Sequence, residues 1–260
     1  MIQREPPGHK FDDLEALCLF VGHPRSGSTL VASIIDAHPD AVIAHERSIQ
    51  HLVLGRLKRE DVFAQLLESE KAFTNEGRIC SGYDYNLNKS WHGQFRKLKI
   101  IGDKKAGASS DFFGQNPNML LSFSERLQLP VKLIHVIRNP MDNIVSLRSM
   151  YISNGENMTL TQASDLYFSL LAGAGICCET VGRKNFLRVY LEELIANPAG
   201  QINQIYKFLN LELEPTAIDL CVKRIFKEPH LARNESDWTK DRLVDLQMRA
   251  KQFPELAFYF

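Results

Sequence analysis

The chain has 260 residues, 44% apolar and 24% charged, with 31 Lys and Arg balancing 31 Asp and Glu. That composition excludes disorder and fibrous structure, and the length supports a full hydrophobic core without disulfide or metal staples. A net charge of zero argues against a nucleic-acid coat or a polybasic membrane binder and leaves only local anion sites.

The N-terminal stretch carries scattered charges and one short apolar run, Leu17 to Val21, which fits neither a secretory leader nor a membrane anchor. Five cysteines (Cys18, Cys80, Cys177, Cys178, Cys221) show no C-x-x-C or Cys/His ligand spacing, so no disulfide framework and no zinc site are expected. The expectation is a cytoplasmic protein that holds no metal. Short runs rich in Val, Ile and Leu predict strands at 17–22, 41–44, 98–102, 131–137 and 186–190. Helical spacing predicts helices at 29–37, 60–73, 118–127, 141–153 and 160–182, then at 191–209, 216–226 and 240–253. This is the pattern of a three-layer α/β fold with a central parallel sheet and a helical C-terminal third, read as one domain over 1–260. The segment 75–97 stands apart, polar and aromatic, with Tyr83, Tyr85, Trp91, His92 and Phe95. It reads either as a functional loop or as a surface excursion with anchoring rings.

The first predicted strand runs into Gly22-His23-Pro24-Arg25-Ser26-Gly27-Ser28-Thr29-Leu30, and apolar residues at helical spacing follow. Strand, glycine-rich turn and helix make a phosphate loop: backbone amides converge on an anion, and the helix N-terminus adds about half a positive charge. The nucleotide triphosphatase pattern G-x-x-x-x-G-K-[ST] is met at Gly22, Gly27 and Thr29, but Ser28 stands where the lysine belongs. The cation sits instead at Arg25, which suits a 5'-phosphate bearing a transferable group better than a magnesium-bound triphosphate. Without that context the segment is an ordinary turn with capping hydroxyls.

The strand at 131–137 ends in Arg138-Asn139-Pro140, where Asn139 is a good N-cap and Pro140 a good first helical residue. Arg138 therefore falls at the carboxyl end of a buried strand, where open α/β sheets bind ligands. Ser146, two turns into the helix, shares a face with Asp142 and Asn143, so a guanidinium and a hydroxyl can grip one phosphate.

Pro24-Arg25-Ser26-Gly27-Ser28-Thr29-Leu30, followed by Arg138-Asn139-Pro140 and Ser146, resembles the sulfotransferase family that uses 3'-phosphoadenosine 5'-phosphosulfate (PAPS). Further landmarks are Asp36-Ala37-His38-Pro39-Asp40, Gly102-Asp103-Lys104, the segment Leu191 to Pro198, and Trp238. The run Leu30 to Glu46 is most similar to the protein-tyrosine and bacterial small-molecule branches. The resemblance implies a fold of the P-loop nucleoside triphosphate hydrolase type, with PAPS as co-substrate and 3',5'-adenosine bisphosphate as product. It implies that residues 24–30 cradle the 5'-phosphosulfate and that Arg138 and Ser146 bind the 3'-phosphate. It further implies Glu46 as catalytic base and Lys104 at the reacting group. Lys105-Ala106 and Leu191 depart from the family pattern. Tyr190, one place early, is the candidate for stacking on adenine, and Arg233 for a further 3'-phosphate contact.

Sulfuryl transfer passes in line between two oxygens with little covalent help, so it needs a base and charge stabilisation. Glu46 and His45 are the candidate bases, and Arg25 and Lys104 the candidate cations. The acceptor is expected to be an alcohol or phenol hydroxyl on a small molecule, carbohydrate or peptide, in a pocket built from 48–60 and 83–95. His23 reads as a loop-shaping residue, His135 as a core histidine, Cys177-Cys178 as small core residues, and Trp238 as a packing anchor. Rival readings are a P-loop kinase, which would need a lysine at Ser28 and magnesium ligands, and a catalytically silent nucleotide-binding module.

Overall fold

The computed structural model describes residues 11–87, 90–225, 227–236 and 238–260. Strand β1 (Ala16–Gly22) leads into α1 (Ser28–Asp36), β2 (Ala41–His45), α2 (Ile49–Leu54) and α3 (Arg59–Asn75). A short hairpin, β3 (Ile79–Cys80) and β4 (Tyr83–Asp84), precedes β5 (Ile100–Lys104), α4 (Ala106–Gln115) and α5 (Asn118–Leu127). Then come β6 (Val131–Ile137), α6 (Pro140–Ser153), α7 (Leu160–Val181), β7 (Phe186–Tyr190), α8 (Leu191–Ala196), α9 (Pro198–Leu209), α10 (Pro215–Arg224) and α11 (Lys240–Ala250).

Five strands form one parallel sheet in the order β2-β5-β1-β6-β7. Every residue of β1 is buried, and alternate side chains serve opposite faces. Cys18 and Phe20 join Val31, Ile34 and Tyr206 under α1 and α9, whereas Leu17, Leu19 and Val21 join Phe63, Phe123 and Cys177 under α3, α5 and α7. Each large side chain so enclosed contributes roughly 1.5–3 kcal/mol of transfer free energy. The three-layer α/β expectation holds, as does the helical C-terminal third. There Leu246, Ala250 and Leu256 close a third cluster over Ile144, Tyr167 and Phe168, with Trp238 packed against it. Because the chain leaves β1 toward β2 and leaves the adjacent β6 toward β7, the crossovers diverge at the carboxyl ends of these two strands, and a crevice opens there.

Several boundaries differ from expectation. The strand expected at 98–102 lies two residues later, at Ile100–Lys104, and the strand expected at 41–44 extends to His45. Helices α2 and α4 were not foreseen. Helix α4 reads as a loop because it holds Ala, Gly and Ser, but those residues let it cross α7 closely: a Cβ on Gly114 would lie 2.7 Å from Gly173 Cα. The helix expected over 191–209 is two, divided where Asn197 accepts the Gly200 amide and Pro198 opens α9. Helix α11 stops at Ala250, short of the expected 253. Phe226, the expected end of the 216–226 helix, and residues 1–10 lie outside the described residues.

Candidate active site

The phosphate loop is held in an unusual backbone path. Gly22, Arg25 and Gly27 have φ of 105°, 66° and 96°. Gly27 is the N-cap of α1 in the left-handed region, and a Cβ there would also meet Leu191 Cδ1 at 2.8 Å. Among the described residues no side chain caps α1, which leaves its first amides for an anion. The Gly22 amide donates to Ser110 Oγ at 2.6 Å, and Ser26 Oγ donates back to the His23 carbonyl at 2.9 Å. His23 is buried and stacked on Tyr167; its Nε2 lies 2.9 Å from the Tyr167 carbonyl. Burial lowers its pKa to about 4, against that hydrogen bond, so it shapes the loop as a neutral ring.

The second motif grips the first. Asn139 accepts the Met141 amide at 3.1 Å and Pro140 opens α6, as its sequence predicts. Arg138 Nη1 donates to the Arg25 carbonyl at 3.1 Å and Nη2 to the His230 carbonyl at 2.6 Å. Burial pulls its guanidinium below the ordinary range, opposed by Asp142 and Glu192. Asn143 Nδ2 donates to the Pro24 carbonyl at 2.9 Å, and Arg25 Nε donates to Ser146 Oγ at 3.3 Å. Arg25, Arg138 and Ser146 thus meet although more than a hundred residues separate the motifs.

Glu46 and Lys104 meet at the neighbouring strand ends. Lys104, 2% exposed, donates from Nζ to Glu46 Oε1 at 2.6 Å, and the Glu46 amide donates to the Lys104 carbonyl at 3.2 Å. Burial pushes the Glu46 carboxyl up, but the charge and hydrogen bond of Lys104, with His45 and Lys105, outweigh it and hold it below the ordinary value. The turn carrying Glu46 (φ 55°) and Ser48 (φ 61°) is pinned by Asp103, whose carboxylate accepts the Arg47 amide at 2.9 Å and the Ile49 amide at 2.8 Å. His45, the other candidate base, stacks on Phe73 at 3.8 Å, and burial followed by Lys104 lowers it to about 4.

The two arginines, Ser146, Glu46 and Lys104 face one cavity of about 1090 Å³. Pro24, Arg25, Gly27, Ser28, Thr29, Leu30, Glu46, Lys104, Arg138 and Ser146 line it; Ser26 is turned inward, fully buried, and His45 is outside it. Two predicted contacts lie elsewhere. Tyr190 packs on Phe258 and Tyr259 and donates its hydroxyl to the Glu255 carbonyl at 3.0 Å, because strand alternation points it at the C-terminal segment. Arg233 is held by buried Asp142, to which its backbone amide, Nε and Nη2 donate at 2.7, 3.0 and 2.5 Å. The acceptor wall also departs from expectation. None of the residues 48–60 lines the cavity, and of the named aromatics only Tyr83 and Tyr85 do. His92 is buried with Nε2 3.2 Å from the Ser33 carbonyl, Phe95 packs on the core, and Trp91 is 39% exposed. In their place Lys105 to Ala108 at the start of α4, next in sequence to Lys104, and Ser149, Met150 and Ser153 of α6, the turns after Ser146, line the cavity. Asp142 and Asn143 carry no positioning role in the sequence reading, since a carboxylate or amide near a helix start reads as an ordinary terminal partner, and neither does Asp103, which follows the predicted strand with no partner close by in sequence.

A family model described as Sulfotransferase family matches residues 19–215. The chain belongs to the sulfotransferase family. Curated relatives include protein-tyrosine sulfotransferase A of Caenorhabditis elegans, 25% identical over 198 residues, covering 74% of this chain and 50% of that protein. The protein-tyrosine sulfotransferase of Drosophila melanogaster is 24% identical over 198 residues, covering 74% and 38%. The chain thus spans half or less of the length of the curated relatives it matches. Among solved structures, the sulfotransferase domain from the Synechococcus PCC 7002 olefin synthase aligns over 96% of this chain and 98% of that one, with a TM-score of 0.57 at 19% identity. A mouse sulfotransferase complexed with PAP aligns over 94% and 87%, with a TM-score of 0.51 at 15% identity. Both likenesses show the sulfotransferase fold.

Proposed function

We propose that the protein transfers the sulfuryl group of PAPS to an alcohol or phenol hydroxyl. The observation that carries the reading is the meeting of the two anion motifs, Arg25 on Ser146 and Arg138 on the Arg25 carbonyl, in the cavity that also holds the Glu46–Lys104 pair. The donor supplies an activated sulfuryl group; the chain supplies position and charge. Uncapped α1 amides and Arg25 suit a 5'-phosphosulfate, and Arg138 suits the 3'-phosphate. Glu46, kept ionised by Lys104, accepts the hydroxyl proton, and Lys104 and Arg25 offset charge on the departing oxygen.

The sulfotransferase relatives, and the PAP bound to a solved neighbour, favour this reading over a kinase, as does a loop whose cation is Arg25 with Ser28 at the lysine position. The names of the curated relatives support a phenolic acceptor on a protein, one member of the hydroxyl class proposed. Thermal stabilisation by 3',5'-adenosine bisphosphate without magnesium, together with label transfer from PAPS to a hydroxyl acceptor, is the expected result. Stabilisation only by magnesium-ATP would overturn the proposal.

A further inference from the structure

Tyr83 and Tyr85 are the two phenol rings that line the cavity among the described residues. Their centroids are 6.4 Å apart and their planes inclined at 49°, so a flat group can lie on the face of one with its edge toward the other. The strand order puts Glu46 and Lys104 at the β2–β5 end of the cavity and Leu191 and Ile195 of α8 at the β7 end, with the arginines between. Tyr85 packs against the same apolar cluster as Leu191 and Ile195, and it borders a small hollow with Leu30, Ile34 and Cys221. The Tyr83 phenol is within electrostatic reach of Arg138, and that of Tyr85 within reach of Arg25. Tyr85 therefore stands beside Leu30, and both rings stand within reach of the anion-binding arginines.

The hairpin is fixed to the phosphate loop's own helix. Arg78, buried at its base with φ 56°, donates to Ser33 Oγ and Asp36 Oδ2 of α1 at 3.1 and 3.0 Å, and also pairs with Glu70. On the other side Arg224 of α10 donates to the Asp84 carbonyl at 3.0 Å. Rings rooted this way keep their distance from the anion site without further ordering on binding.

We infer that the hairpin at 79–85 is the base wall of the donor site, with Tyr83 and Tyr85 taking the purine that the sequence had directed to Tyr190. This rests on the donor reading above and removes the hairpin from the acceptor pocket. Two probes test it by calorimetry: 3',5'-adenosine bisphosphate, and 1,2-dideoxyribose 3,5-bisphosphate, which carries both phosphates and no base. Tyr83→Ala and Tyr85→Ala should each weaken the nucleotide about 5- to 20-fold and leave the baseless probe within about twofold, whereas Tyr83→Phe and Tyr85→Phe keep both. Should Tyr85→Ala fail to fold, Tyr83→Ala and the phenylalanine variants decide. Alanine variants that bind the nucleotide as the unsubstituted chain does, or that lose both probes equally, overturn the wall. Equal affinity of the unsubstituted chain for both probes overturns the wall alone; binding of neither overturns the donor reading and the wall with it.

Discussion

Replacing Glu46 by Gln isolates proton acceptance from everything else the carboxylate does. The amide oxygen still accepts from Lys104 Nζ, now 2.6 Å away, so the turn pinned by Asp103 and the phosphate loop keep their shape. A positioned base is worth about 100- to 10,000-fold. With 47% of the Glu46 side chain exposed, water can take over part of the task, which places the loss near the lower end. The expected fall in kcat is about 100-fold, or about 2.7 kcal/mol of barrier, with the dissociation constant of 3',5'-adenosine bisphosphate unchanged. Glu46→Ala should differ: buried Lys104 loses its partner, so the melting temperature drops as well, though by less than the about 3–5 kcal/mol of a fully enclosed pair. Initial rates with labelled donor, beside calorimetric titration of the product nucleotide, separate the two effects. Glu46→Gln turning over within about threefold of the unsubstituted chain would remove Glu46 from the base role. The pH profile supplies a second check. A carboxylate held below its ordinary value puts the acid limb of kcat/KM below about pH 4.5, and Lys104→Met should move that limb upward, since burial then meets only the weaker opposition of His45 and Lys105.

Arg138→Ala removes charged donors from the Arg25 and His230 carbonyls and from the proposed 3'-phosphate; donor affinity should fall about 10- to 100-fold, read by calorimetry, with kcat at saturating donor much less affected. Asp142→Asn strips the charge from an acceptor of three Arg233 bonds that is 1% exposed, and urea melts should show a loss of about 2–3 kcal/mol. Glu70 gives a pH test of the fold: burial and the Asp36 charge push it up to about 10, against Arg78. The folded chain then keeps a proton that the unfolded chain releases above about pH 4.5, so this contribution is full below that pH and is lost as pH rises toward 10. Glu70→Gln should flatten the decline in urea midpoint between about pH 5 and 9.5.

Much of this was readable wherever the signal was local. The β1 strand with its glycine turn, and β6 with Asn139 and Pro140, announce themselves within a dozen residues, since backbone preference and burial agree there. The strand signal in the sequence stops at Gly102 because charged residues seldom end a buried strand; Asp103 and Lys104 extend it here because each has a partner from the 46–49 turn. Helix α4 was hidden by its small residues, whose use appears only once α7 lies against them. For Tyr190, spacing gave the strand end correctly and the ring's destination wrongly, because the partner that captures it, the segment around Glu255 and Phe258, comes 65 residues later.

The grip of Arg138 and Asn143 on the carbonyls of Arg25 and Pro24 bears on how such proteins are engineered and surveyed. A designer who transplants the heptapeptide 24–30 into another scaffold, without its distant clamp, would carry over letters and not a shape. A genome search that scores the heptapeptide alone would, for the same reason, count degenerate copies among the working ones.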